Sequence, residues 1–394
     1  MGRPLQDNIH PLAEPLNARN PIVGLYLHTP FCFHKCHYCD FYSIVDPTDE
    51  HNDRQGQFVD ALIAELRQAA GVCKLRPDTI FVGGGTPTLL RIDLWEKLLD
   101  AMRGLGILDG VREFTVEANP ETVTQPLLRL LAAGGVSRVS IGAQSFDPGL
   151  LRTLERWHDP ASVGRAVDLV RTAGIDDINL DLIFAIPGQT LADVAADLDA
   201  ALMLEPTHLS CYSLIYEPNT AMTRRLEMGQ VQPVDEELER DMYALVIDRL
   251  GETGFIHYEI SNWAKLRPCE HNLIYWRNEN WLGCGPSAAS HVDGHRWKNE
   301  PHLGRYIERA PLPPTMDHER LDNERRVGEV LMLALRLREG ASLRWIDDHV
   351  SPDDPRRATI DELIGLGYLE RTATHLRLTH KALFVADSVI AKLL

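Results

Sequence analysis

No run of about 18 apolar residues, roughly what a bilayer-spanning helix needs, occurs in this 394-residue sequence, so no membrane span is expected. Residues 1–20 are polar and broken by Pro4, Pro11 and Pro15. They lack the apolar stretch of a secretory signal peptide, and Gln6 stands where N-myristoylation requires Ser or Thr. A cytoplasmic protein is the expectation. Positive charge is also short: 40 Lys and Arg face 57 Asp and Glu, a formal charge of −17. Phosphate recognition relies on clustered cations, which argues against nucleic-acid and anionic-membrane partners. A flavin or porphyrin remains compatible, because a pocket can differ from the net charge. Paired cysteines are missing too. Seven is an odd number, three of the seven crowd into residues 32–39, and a disulfide framework would spread them out. Cys73, Cys211, Cys269 and Cys284 are scattered singles, expected to act as small buried hydrophobes.

What is present is an ordinary globular composition, with 44% hydrophobic and 25% charged residues, long enough for one large domain and a smaller one. From Val23 onward, β-rich runs at 24–27, 79–82, 113–117, 138–142, 179–183 and 208–214 alternate with amphipathic stretches. The helical ones fall at 58–70, 94–102, 126–133, 163–172 and 192–204; Leu62, Ile63 and Leu66 show the spacing well. Strands alternating with helices imply parallel βαβ units with right-handed crossovers. Six repeats predict an α/β fold, a partial (β/α)6 TIM-like barrel, whose chemistry sits at the C-terminal strand ends. A helix is expected over 236–249, then a mixed segment rich in aromatics and Asn. Residues 310–318, with Pro311, Pro313 and Pro314, are expected to be a linker. Beyond it, helices at 327–337 and 359–366 and short strands at 368–370 and 376–378 predict a small α+β, winged-helix-like domain. It has no strong basic patch, which weighs against DNA binding. The expected division is thus a tail (1–20), a barrel core (21–215), its extension (216–309), the linker and the C-terminal domain (319–394).

Directly after the first strand comes Cys32-Phe33-His34-Lys35-Cys36-His37-Tyr38-Cys39. Three thiolates on one loop can each take one iron of a cubane cluster and leave the fourth iron open to a small molecule, whereas a transfer cluster is normally held by four. The rival is a structural zinc site completed by His34 or His37, but zinc fingers draw on two separated pairs and no second pair exists. Gly83-Gly84-Gly85-Thr86-Pro87 follows the second strand. Glycines there let the backbone approach a ligand closely, though by themselves they read equally as a turn.

Cys-x3-Cys-x2-Cys after a first strand, with this glycine run after the second, resembles the radical S-adenosylmethionine (SAM) superfamily. The resemblance extends to its oxygen-independent coproporphyrinogen III oxidase branch. The segments that carry it are Tyr-Leu-His-Thr-Pro-Phe-Cys (26–32), Glu-Ala-Asn-Pro (117–120), Gly-Ala-Gln-Ser-Phe (142–146), Asn-Leu-Asp-Leu-Ile (179–183) and Glu-Pro-Asn-Thr (217–220). It implies a 4Fe–4S cluster on Cys32, Cys36 and Cys39. It also implies SAM held by Tyr26, Tyr38, Gly84, Gly85, Thr86, Glu117, Gln144, Arg156 and Asp181. Each assignment has chemical sense: carboxylates accept from amino and hydroxyl groups, Gln144 both donates and accepts, and a guanidinium pairs with a carboxylate. The plain alternatives are an exposed salt-bridging Arg156 and core tyrosines at 26 and 38.

Within the branch, the decarboxylases carry a further cysteine two residues after the third ligand and a longer segment before the first strand. Here that position is Phe41, and only residues 1–23 precede the strand. Cys39-Asp40-Phe41 and His271-Asn272-Leu273-Ile274-Tyr275-Trp276 instead resemble the heme chaperones of the branch. This implies heme as cargo, delivered to respiratory apoproteins, with His271 as candidate iron ligand and His291 as a weaker one. Porphyrin oxidative decarboxylation is the alternative activity. His271 reads equally as a packed, hydrogen-bonded histidine. Tyr275, Trp276, Trp281 and Trp297 read either as a flat porphyrin surface or as core. No flavin or dinucleotide motif is evident, so electrons would come from outside, from a flavodoxin-like donor.

Overall fold

Leu25 and Leu27 are fully buried within the strand Gly24–Thr29 (β1), and both faces of that strand are covered, as in parallel sheets packed under helices. The structure is a computed structural model that describes residues 10–16, 18–46 and 53–394. The tail positions 1–9, among them Pro4 and Gln6, lie outside the described residues.

Five more strands follow β1: Thr79–Gly84 (β2), Glu113–Ala118 (β3), Arg138–Gln144 (β4), Asp177–Phe184 (β5) and His208–Ser213 (β6). Each strand is followed by a helix, in order Arg54–Val72, Ile92–Gly104, Gln125–Ala133, Pro160–Thr172, Leu191–Met203 and Glu236–Glu252. Local chemistry starts several of these helices. The side chains of Thr124, Asp159, Thr190 and Asp235 accept from first-turn amides, with Pro inside the first turn at 126 and 160. The expected α/β repeat is present, with strand and helix ends shifted by a few residues. Among the described residues no helix is long and apolar enough to cross a membrane.

Contacts divide the chain into two compact units whose segments interleave along the sequence. The first takes Met1–Asn179, Ile215–Val231 and Asn280–Arg320; the second takes Leu180–Leu214, Gln232–Glu279 and Leu321–Leu394. In the first unit β1, β2, β3 and β4 are neighbouring parallel strands, with Tyr26 opposite Phe81 and Thr29 opposite Gly84. On the other side of β1, Trp281–Cys284 (β9) adds in parallel, placing Tyr26 opposite Gly283. Ala289–Val292 (β10), His295–Asn299 (β11) and Thr315–Arg320 (β12) continue outward antiparallel. Residues 315–318 of β12 fall inside the stretch expected to be a linker, and 319–320 at the start of the expected C-terminal domain. They form a strand because β11 supplies a paired edge, a partner that the local proline density of 311–314 does not reveal.

Glu65 fastens this extension to the first helix. Its fully buried carboxylate accepts from Tyr306 Oη (2.6 Å), Gly285 N (2.8 Å) and Asn299 Nδ2 (2.7 Å). The Gly285 backbone in turn lies against β1, where a Cβ would stand 2.5 Å from the His28 carbonyl.

In the second unit β5 and β6 are joined by the short antiparallel strands Ile256–Glu259 (β7) and Asn262–Ala264 (β8), in the order β5-β6-β8-β7. Its C-terminal part runs helix Asn323–Arg336, strand Ala341–Ser342 (β13), helices Leu343–His349 and Pro355–Gly365, then strands Leu369–Arg371 (β14) and His375–Leu378 (β15). Leu331, Leu335, Ile360, Leu363 and Leu376 form its core. Buried Arg356 ties the end of the chain in, donating to the Leu393 and Leu394 carbonyls.

Of the scattered cysteines, Cys211, Cys269 and Cys284 are buried as expected. Cys73 is only half-buried, closing the first helix with its thiol on the Ala69 carbonyl.

Candidate functional site

The cysteine loop leaves the end of β1. Phe31–Cys32 pairs in parallel with Ile44–Val45, which closes residues 33–43 into a loop with a fixed neck. Lys35 folds the loop back on itself, its Nζ donating to the Phe41 carbonyl (2.5 Å) and Ser43 Oγ (3.0 Å). The neck is also tied to the glycine run: Gly85 N donates to the Thr29 carbonyl and Thr86 N to the Phe31 carbonyl, both at 2.7 Å.

Cys32, Cys36 and Cys39 are free, half-buried thiols. Burial raises the pKa of Cys32, with the Thr86 hydroxyl opposing, and pushes Cys39 up to about 11 against the pull of Lys35. Cys32 and Cys39 therefore need a cation to become thiolates. Thr86 Oγ1 lies 3.7 Å from Cys32 Sγ, and Arg156 Nη1 3.6 Å from Cys36 Sγ. Among the described residues no three histidine, cysteine or carboxylate side chains are already gathered closely enough to hold a metal ion. The donor set nevertheless suits iron: three soft sulfur ligands on one loop, with a guanidinium and an ammonium beside them to favour the thiolate form.

Around this loop stand several of the other residues singled out in the sequence. Tyr26 Oη lies 3.0 Å from His28 Nδ1, and the His28 ring also bonds the Tyr42 carbonyl through Nε2 at 2.8 Å. Gly84 sits at φ +101°, and a Cβ there would meet the His28 ring at 2.4 Å. Glu117, at the end of β3, accepts from Gly84 N at 3.1 Å, and a Cβ on Gly83 would strike its carboxylate at 2.8 Å. The glycines thus allow a carboxylate, an imidazole and two backbone segments to meet. Gln144 ends β4 in the left-handed region at φ 64°, a conformation that costs a non-glycine residue on the order of 1–3 kcal/mol and tends to cluster at functional sites.

Arg156 is not an exposed salt-bridging residue. Its Nη2 donates to the Gly142 carbonyl (2.7 Å), and its Nε is buried without a hydrogen-bond partner. Tyr38 lies within electrostatic reach of this guanidinium. The structure thus assembles Tyr26, Tyr38, Gly84, Gly85, Thr86, Glu117, Gln144 and Arg156 with the three cysteines in the first unit. Asp181 belongs to the second unit, where its charge is felt by Cys211 and Tyr212.

His271 is also in the second unit, 1% exposed, with Nε2 bonded to Tyr275 Oη at 2.8 Å. Burial pulls its pKa to about 3, so the ring is neutral. Trp276 lies under the Arg336 guanidinium, 5.0 Å from its ring centre. Trp297, only 2% exposed, is core rather than a porphyrin surface, and His291 is buried beside Trp281. Phe41 is 59% exposed. The sequence reading gave no role to His28, although it lies inside the 26–32 segment, two residues after Tyr26 on one strand face. Of the turn 154–158 it singled out Arg156 alone.

Comparison with known proteins places the chain. A model of the radical SAM superfamily matches residues 26–201, and one of the HemN C-terminal domain matches 321–385. Proteins named heme chaperone HemW are similar over nearly the whole chain. That of Lactococcus lactis is 33% identical over 94% of this chain and 96% of its own. That of Mycobacterium tuberculosis is 35% identical over 94% of both chains, and that of Escherichia coli is 35% identical over 93% and 96%. The solved structure of Escherichia coli coproporphyrinogen III oxidase HemN superposes with a TM-score of 0.80 at 21% identity, over 95% of this chain and 90% of that one; this likeness concerns the fold. The chain belongs to the radical SAM superfamily and, within it, to the family of the HemW proteins.

Proposed function

We propose that this protein is a heme chaperone that holds a 4Fe–4S cluster on Cys32, Cys36 and Cys39, binds SAM, and hands heme to respiratory apoproteins. The observation that carries the cluster and SAM part is the root of the cysteine loop. Two backbone hydrogen bonds lock it to the glycine run, and Arg156 reaches from the far side to Cys36. The heme part draws on the name shared by the relatives and on the His271–Trp276 segment. When bound, cluster and SAM together supply one-electron chemistry, with reducing equivalents from an external flavodoxin-like donor.

The chain's own residues do the rest. In this reading the 84–86 backbone and Glu117 meet the donors of SAM, Arg156 neutralises its carboxylate, and Gln144 completes the polar shell. Tyr26 and Tyr38 shield the site from water. Glu117→Ala is expected to weaken SAM binding about ten- to a hundredfold, the loss of a charge-assisted hydrogen bond of roughly 1.5–3 kcal/mol. Cluster iron should stay unchanged. Anaerobic equilibrium dialysis measures the first and iron and sulfide analysis the second; undiminished SAM affinity contradicts the assignment.

For heme, the neutral ring of His271 is in the right state to ligate iron, and doing so exchanges its bond to Tyr275 Oη for one to the metal. Tyr275→Phe removes that competitor and is expected to tighten heme binding, while His271→Ala weakens it. The deciding experiment supplies reduced, cluster-loaded protein with SAM and either heme or coproporphyrinogen III. Heme uptake without vinyl-bearing porphyrin products is the expected result. Catalytic formation of protoporphyrinogen IX overturns the chaperone reading in favour of oxidative decarboxylation, and shows that an exposed phenyl ring at Phe41 is compatible with it.

A further inference from the structure

Residues 154–158 run beside the cysteine loop and touch it repeatedly. The Leu154 carbonyl accepts from His37 N (3.2 Å), Glu155 faces His37 Nε2 at 3.9 Å, Arg156 meets Cys36, and Trp157 stacks on His34 with ring centres 4.6 Å apart. The turn is held at both ends. Glu155 adopts φ 55° with Arg156 N bonded back to the Leu151 carbonyl, and Asp159 N donates to Glu121 Oε1 (3.3 Å) before Asp159 caps the next helix.

The last residue of this turn is His158. It is 5% exposed, and both ring nitrogens are buried without a hydrogen-bond partner, as is Arg156 Nε two residues earlier. A buried polar atom left unsatisfied costs on the order of 1–3 kcal/mol, and native proteins rarely tolerate one without a use. Here three such atoms lie within three residues, on a turn hydrogen-bonded at both ends. Burial and the Arg156 charge pull the His158 pKa down to about 4, against the Ala143 backbone and the Asp159 charge. The ring is therefore neutral near pH 7 and offers one N–H and one lone pair. A cation at this position would repel Arg156; a neutral imidazole does not.

We infer that His158 is a further SAM-binding residue, whose ring hydrogen-bonds the ligand on the same turn from which Arg156 neutralises the carboxylate. This rests on the SAM reading above. Ala143, whose backbone lies near the ring, directly precedes Gln144, so the imidazole belongs to the same strand end as that residue. The partner on SAM is a ribose hydroxyl or the α-amino-carboxylate, both of which suit a neutral donor–acceptor.

The test uses cluster-loaded protein under anaerobic conditions. His158→Phe keeps the volume and removes both nitrogens; His158→Gln keeps a donor and an acceptor. The phenylalanine variant is expected to bind SAM about tenfold more weakly, the loss of one hydrogen bond of roughly 1.4 kcal/mol, with iron content unchanged. Its melting temperature should be equal or higher, since an unsatisfied polar ring has become apolar, and the glutamine variant should recover most of the affinity. Competition by 5′-deoxyadenosine and by methionine then locates the contact. Loss of the former's binding in His158→Phe assigns the ribose, loss of the latter's the amino-carboxylate. Wild-type SAM affinity in a folded His158→Phe protein overturns the inference. Should that variant not fold, equal SAM affinity in His158→Leu and His158→Gln overturns it equally. If the wild-type protein itself binds no SAM, the parent reading fails along with it.

Discussion

Cys36→Ala protein, reconstituted anaerobically with iron and sulfide, will retain almost no cluster. The loop supplies three thiols, and with one gone two irons of a cubane have no protein ligand. The remaining sulfurs cannot compensate: burial raises the Cys32 thiol and lifts Cys39 to about 11, so they stay protonated unless metal binds cooperatively. The substitution also strips the Arg156 guanidinium of its sulfur contact at 3.6 Å. Iron and sulfide analysis should show near-complete loss, together with the visible absorbance band. Cys73→Ala serves as the comparison, because that thiol only closes a helix end on the Ala69 carbonyl and should leave iron content at the wild-type level. A full cluster in Cys36→Ala would remove this loop from the mechanism altogether.

Gly85→Ala should be nearly as damaging, though it deletes nothing. A Cβ at Gly85 would stand 2.5 Å from the Phe31 carbonyl oxygen and 2.8 Å from that of Thr29, both rigid backbone. The two segments must part, and the hydrogen bonds from Gly85 N and Thr86 N, both 2.7 Å, go with them. Overpacking costs about 1–3 kcal/mol and each of the two lost hydrogen bonds about 0.5–1.5, so a destabilisation of roughly 2–6 kcal/mol is expected. The damage falls where the glycine run meets the root of the cysteine loop, so cluster retention and SAM affinity should both drop. Gly71→Ala provides the contrast. It lies in the helix Arg54–Val72 with open space around it, and there alanine should be neutral or stabilising by about 0.5–1 kcal/mol. A Gly85→Ala protein with unaltered melting temperature and cluster content contradicts the geometry at the loop root.

Much of this protein is written locally in its sequence. Alternating β-rich and amphipathic runs specified six strand–helix units, because side-chain periodicity is set by the backbone geometry of each element and needs no distant partner. The cysteine spacing is likewise a property of one short loop, and the glycine run announced a close backbone approach before any neighbour was known. What tertiary structure decided is non-local. Residues 315–320 became a strand because β11 offered an edge, although the preceding prolines signalled a linker. Arg156, which without the family resemblance reads as an exposed cation between Glu155 and Trp157, is turned inward after the left-handed Glu155 onto Cys36, 120 residues away in the chain. The same packing leaves His158 with two unsatisfied nitrogens, and it buries His271 against Tyr275 although the motif alone left that ring free to be either ligand or core. Periodicity and spacing are fixed by neighbours in sequence; burial and hydrogen-bond satisfaction depend on segments brought together by folding, and those decided which polar residues face the site.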